Sequence, residues 1–93
     1  MEVKFAAAWA AAREKAAGLG VRIRPVEPGE ALRSAQRILS GRRLSDGFNA
    51  LAACGRLDLS LEALVIDKRF TQLFTDEQAN EALTRLLEAG YRF

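Results

Sequence analysis

Signals that stop helices recur along this chain at short intervals: Gly18 and Gly20, then Gly41, Gly55 and Gly90, with Pro25 and Pro28 between the first two groups. Glycine ends a helix readily because it takes the left-handed conformation beyond the last turn without a Cβ clash. The chain is thereby cut into short segments. A polypeptide of 93 residues buries about two thirds of its unfolded surface, enough for one core. The expectation is a mainly α domain over residues 1–93, with four to five short helices around one core. It becomes α+β only if a short strand near 21–24 pairs with a terminal segment.

Periodicity places the helices between these stops. From about Ala6 to Ala17, Phe5, Trp9, Ala12 and Ala16 share one stripe, and alanines on most other faces imply packing on more than one side. Val21-Arg22-Ile23-Arg24 alternates apolar and basic, the period of a half-buried strand, and Pro25 confines it to an edge or an end. Its candidate partners are Glu2 to Phe5, Leu64 to Ile66 and Tyr91-Arg92-Phe93.

A second helix starts near Pro28, a residue suited to a first turn, and buries Ala31, Leu32, Ala35, Ile38 and Leu39. A third, from about Ser45, turns Phe48, Leu51 and Ala52 inward. Between Leu57 and Phe74 the pattern is ambiguous, and a helix from about Ser60 to Asp67 is expected. Thr75-Asp76-Glu77-Gln78 is a capping box opening the last helix, whose core face is Ala79, Ala82, Leu83, Leu86 and Leu87. Tyr91, after Gly90, folds back on Leu86.

Composition removes most conventional chemistry. With no histidine, the chain lacks a Ser-His-Asp triad, a Cys-His pair and a His/Cys zinc site. One cysteine forms no internal disulfide, which points to a reducing cytoplasm. Cys54, at the expected end of a helix, reads as a packed structural thiol.

Asp58, Ser60 and Glu62 resemble the start of a calcium loop without its turn glycine or its twelfth-position glutamate. Gly18-Leu19-Gly20 precedes a strand instead of opening a helix, so it is a helix stop and not a phosphate cradle. Asp76 and Glu77 have their explanation in the first turn of a capped helix. No catalytic residue, cofactor or metal ligand is assigned.

The short apolar run from Phe5 to Ala12 follows Glu2 and runs into Arg13-Glu14-Lys15, which is not the form of a signal peptide. No apolar run reaches the length of a membrane helix, and no membrane partner is expected. Abundant alanine, and arginine favoured over lysine, fit the coding bias of a bacterial genome.

The net charge of +2 conceals an asymmetry. Residues 1–43 hold nine Lys/Arg against four Glu, and residues 44–93 hold five against eight acids. Arg22, Arg24, Arg33, Arg37, Arg42 and Arg43 carry most of the basic half and are the candidate binding residues. Arg33 and Arg37, one turn apart, repel each other unless an anion or a carboxylate lies nearby. Glu30 is placed to pair with Arg33.

A helix-turn-helix over Ser45 to Leu64 fits poorly. With Gly55 as the turn glycine, Leu51 and Arg56 occupy positions that want a small and an apolar residue, and the second helix offers Asp58, Glu62 and Asp67 to phosphates. The expected function is a small noncatalytic protein-interaction module, an adaptor, accessory subunit or inhibitor, whose partner is another protein or a second copy of itself. The alanine-rich first helix and the terminal Tyr91 and Phe93 offer apolar surface for such contact. The alternative is a regulatory protein that contacts nucleic-acid phosphates through the arginines.

Overall fold

Alanine has the highest intrinsic helix propensity of any residue, and the alanine-rich N-terminal segment forms the longest helix. The computed structural model describes residues 1–91, in which α1 spans Glu2–Gly18. It begins earlier than expected, with Glu2 in the first turn, where negative charge is favoured by the helix dipole. Phe5, Trp9, Ala12 and Ala16 are its buried residues, the stripe read from the sequence.

Packing on more than one side is not found. Ala6 and Ala8 are half-buried, while Val3, Ala7, Ala10 and Ala11 face solvent. Helix propensity accounts for those alanines without a second packing face.

At the end of α1 the Gly20 N–H donates to Ala17 O (3.0 Å) and the Val21 N–H to Ala16 O (2.9 Å). This closure reverses the chain and buries Val21. The same pair of bonds closes the third helix through Gly55 and Arg56 and the last through Gly90 and Tyr91. The Tyr91 N–H reaches Leu86 O (2.9 Å), and its side chain packs on the core that holds Leu86, as the sequence implied.

The strand expected at 21–24 does not form: no strand occurs among the described residues. Two of its candidate partners are helical, and Arg92 and Phe93 of the third lie outside the described residues. The alternation survives without a sheet. Val21 is buried and Ile23 half-buried, whereas Arg22 and Arg24 are exposed. The Arg24 N–H is taken by a side chain, Asp46 Oδ2 (2.8 Å), and Pro25 has no N–H to give.

A 3-10 turn at Pro28–Glu30 leads into α2 (Ala31–Ser40), which buries Ala31, Ala35 and Leu39. The third helix, α3, spans Phe48–Ala53 and not Ser45 onward, because Gly47 sits before it in the left-handed conformation (φ 78°). A Cβ there would stand 2.9 Å from Ile23 Cγ1, so glycine is required by both backbone and space.

The ambiguous stretch resolves into a 3-10 turn (Leu57–Leu59), α4 (Leu61–Val65) and a second such turn (Thr71–Leu73). Ser60 makes the switch between them. Its hydroxyl donates to Leu57 O (2.6 Å) and accepts from the Ala63 N–H (3.2 Å), capping α4. Leu57, Leu59 and Leu61 are therefore all buried although they belong to two different elements.

The last helix, α5 (Asp76–Glu88), opens on the capping box. The Thr75 N–H donates to Gln78 Oε1 (3.0 Å) and the Gln78 N–H to Thr75 Oγ1 (3.1 Å). Ala82 and Leu86 face the core, but Leu87, expected there, is 55% exposed. Adjacent helical residues point about 100° apart, and the inward direction belongs to Leu86.

The expected core is built from two adjoining apolar clusters. Phe5 and Trp9 belong to the first and Ala12 and Ala16 to the second, so α1 runs across both, and Ile66 packs against each. Phe5 is fully buried, with ring centroids of Phe70 at 5.4 Å and Phe74 at 5.5 Å in edge-to-face orientation. Phe5→Ala should lower unfolding free energy by about 3–5 kcal/mol, read from urea denaturation, because the aromatic ring and its contacts are lost together.

The turn after α4 supplies a pH dependence. Asp67 Oδ1 accepts from the Arg69 N–H (2.8 Å), and the two side chains pair at 3.0 Å. The Arg69 side chain, then its main-chain N–H, holds the Asp67 carboxyl below the usual carboxylate range. A carboxylate with a lowered folded pKa adds stability above its unfolded pKa of about 3.9 and loses it as pH falls through the folded value. Asp67→Asn should therefore be less stable than the parent at neutral pH, and the difference should vanish on acidification to about pH 2.

Candidate functional site

Three segments with different local reasons for their course enclose a broad cleft. The extended chain after α1 is held by the Arg24–Asp46 bond, the exposed side of α2 follows from its apolar inner face, and the loop from Gly41 to Gly47 follows the end of α2. Between them lies a cleft of about 970 Å³. The half-buried Val26 and Ile38 and the exposed Leu44 give it apolar surface over the buried Trp9 and Leu61, and its arginines are Arg24, Arg37, Arg42 and Arg43. A neighbouring hollow of about 540 Å³ shares Ile23, Arg24, Pro25 and Asp46 with it and adds Arg13 and Arg22.

Four of the six arginines singled out from sequence thus share one cleft, and Arg22 joins Arg24 in the adjoining hollow. Arg33 is not part of either. It pairs with Glu30 (3.8 Å) on the open surface, as its spacing implied. Arg13, absent from the sequence-based set, belongs to the hollow. It stands in α1, nine positions before Arg22, and the two meet only because the chain reverses at Gly20.

The arginines divide sharply by partner. Outside the two hollows, Arg33, Arg56, Arg69 and Arg85 are each in an ion pair. Among the described residues, none of Arg13, Arg22, Arg24, Arg37, Arg42 and Arg43 has a carboxylate within ion-pairing distance. Glu27, Glu30 and Asp46 also line the cleft, so its walls are mixed, with positive charge in slight excess.

Behind the cleft wall sits a buried polar network with no precedent in the sequence reading. Glu62 of α4 and Arg85 of α5 pair at 3.2 Å with side chains 0% and 4% exposed. Glu62 also accepts from the Ser45 N–H (3.1 Å) and the Ser45 hydroxyl (2.5 Å). Arg85 donates to Ile38 O (3.3 Å) and Gly41 O (2.9 Å), carbonyls at the end of α2, and to Glu81 Oε2 (2.6 Å) one turn earlier on α5. Among the described residues no buried side-chain polar atom lacks a partner.

The network gives Glu62 a place that neither of the two readings disfavoured by the sequence, a calcium loop and a recognition helix, would give it. The run Asp58, Ser60, Glu62 does not converge: Asp58 pairs with Arg56 (3.0 Å), Ser60 caps α4, and Glu62 faces inward. As the second helix of a helix-turn-helix, α4 has five residues and its glutamate is buried.

Cys54 is exposed at the C-terminal end of α3 and is not a packed thiol. Although it lies three residues after the buried Leu51, the chain leaves the helix there and reverses at Gly55. The Ser45 hydroxyl is the one cleft-wall hydroxyl bonded to a carboxylate, and its proton is directed into the interior, away from the cleft.

Removing one member of a buried pair leaves the other charge uncompensated. Glu62→Ala should cost about 3–5 kcal/mol. Glu62→Leu combined with Arg85→Met should cost less than the sum of the two single changes, measured as urea midpoints of all three variants.

No helix among the described residues is long and apolar enough to cross a membrane. No family model matches the chain, and neither a curated protein nor a solved structure matches it significantly.

Proposed function

We propose that the protein is a noncatalytic protein-interaction module whose arginine-lined cleft receives an acidic segment of a partner protein. The partition of the arginines carries this reading: every described arginine outside the two hollows is in an ion pair, and none inside them is. Exposed like charges gathered around a concavity repel one another, and an anionic occupant converts that repulsion into attraction.

Apolar groups between the arginines favour a polypeptide over a phosphate backbone. The half-buried Val26 and Ile38 and the exposed Leu44 offer contacts to aliphatic side chains interleaved with acids. Glu27 and Glu30 oppose a continuous line of phosphates. The alanine- and arginine-rich composition and single cysteine support a bacterial, cytoplasmic setting for such an accessory or regulatory protein.

Fluorescence anisotropy with a labelled twelve-residue peptide of alternating Glu and Val tests the proposal, with a short DNA duplex as the competing probe. The peptide should bind, and binding should weaken with added salt. Arg37→Glu, Arg42→Glu and Arg43→Glu together should reduce affinity by more than about tenfold, whereas Arg33→Glu should change it by less than about twofold. Duplex binding with a steep log-linear salt dependence, in the absence of peptide binding, would replace this reading by the nucleic-acid one.

A further inference from the structure

We propose that Glu62 and Arg85, which do not line the cleft, are positioning residues that set its affinity for acidic segments by holding Arg42 and Arg43 on its rim. The proposal rests on the reading of the cleft given above and names what controls it.

Two of the four cleft arginines stand on a segment with no hydrogen bonds of its own. Among the described residues, the main chains of Arg42, Arg43 and Leu44 make none, and neither do the side chains of the two arginines. All three residues are exposed. A segment of this kind has many accessible conformations, and docking a ligand on it requires ordering it first.

What limits those conformations lies at its two ends. On one side the Gly41 carbonyl accepts from Arg85 Nη2 (2.9 Å). On the other, Ser45 donates both its N–H (3.1 Å) and its hydroxyl (2.5 Å) to the two oxygens of Glu62. The anchors are themselves joined, Arg85 Nη1 to Glu62 Oε2 at 3.2 Å. One buried ion pair thus holds both ends of the Gly41–Ser45 segment, and its side chains are screened from water, which would otherwise compete for the same bonds.

An apolar pair of equal volume would fill the space between α4 and α5 but would leave the Gly41 carbonyl and the Ser45 N–H without partners. The polar pair therefore specifies the path of the loop, and that path decides whether two guanidinium groups stand at the cleft. In wild-type protein the ordering is done before the ligand arrives.

The test compares Glu62→Gln, Ser45→Ala and the double variant Arg42→Ala/Arg43→Ala, each first shown by urea denaturation to be folded under the assay conditions. With the Glu/Val peptide as probe, Arg42→Ala/Arg43→Ala and Glu62→Gln should each weaken binding by about tenfold, and Ser45→Ala by less. Adding Glu62→Gln to the double variant should change affinity by less than about twofold, because the groups it positions are already gone. A merely structural role would instead add in full, and that result, or wild-type binding by folded Glu62→Gln, overturns the proposal.

Amide exchange without ligand separates this failure from failure of the cleft reading. Exchange at the Ser45 N–H should accelerate by at least about tenfold in Glu62→Gln, whatever the cleft binds. Unchanged exchange overturns the anchoring role. If wild-type protein binds no acidic peptide while the exchange result holds, the anchoring stands, but the cleft reading falls and the claimed control of affinity falls with it.

Discussion

The buried pair of Glu62 and Arg85 ties four parts of the chain to one point: α4, α5, the end of α2 and the loop before α3. Taking two charges out of water carries a desolvation penalty of several kcal/mol per ion even after relaxation. The pair persists because every side of it is satisfied. Glu62 receives a guanidinium, an amide and a hydroxyl, and Arg85 gives to two carboxylates and two helix-end carbonyls. Of those carbonyls, Ile38 O also accepts the Gly41 N–H, while among the described residues Gly41 O has Arg85 alone, at a helix C-terminus where a cation is also favoured by the helix dipole. The network thus stabilises a particular arrangement more than it stabilises folding as such.

Around that fixed point the apolar packing is divided. Phe5 and Trp9 of α1 enter one cluster and Ala12 and Ala16 enter the other, so the buried stripe of one helix changes from large to small side chains along its length. Electrostatics is divided in the same way. Arginines that serve the fold have carboxylates close in sequence or buried beside them, while among the described residues those around the hollows have no carboxylate within ion-pairing distance. Exposed ion pairs are worth little individually, so the unpaired set costs the fold little, and it leaves a positive rim available for an acidic chain.

Much of the fold was legible in local pattern. The stripe Phe5, Trp9, Ala12, Ala16, the capping box at Thr75 and Gln78 and the return of Tyr91 onto Leu86 all appear where spacing placed them. The errors share a cause. Val21–Arg24 alternates like a strand, but alternation records which side is buried and says nothing of a hydrogen-bonding partner. Leu87 is as apolar as Leu86, and only the direction of the core separates them. Cys54 continues the inward spacing of Leu51 but falls after the helix has ended. Of the candidate site, Arg24, Arg37, Arg42 and Arg43 were found through charge alone. Arg33 was included with them because sequence spacing does not show where a cleft ends.

The residues by themselves determined a set of short helices, their caps and their buried faces, because these depend on interactions within about four positions of the chain. Absence of histidine likewise excluded several chemistries before any folding was considered. Tertiary structure alone decided that Glu62 and Arg85, 23 positions apart, would neutralise each other in the interior, and that Arg13 and Arg22 would share a hollow. Whether a charge is buried with a partner or left to solvent depends on which distant segment faces it. That is settled by packing of the apolar faces, and no local pattern records it.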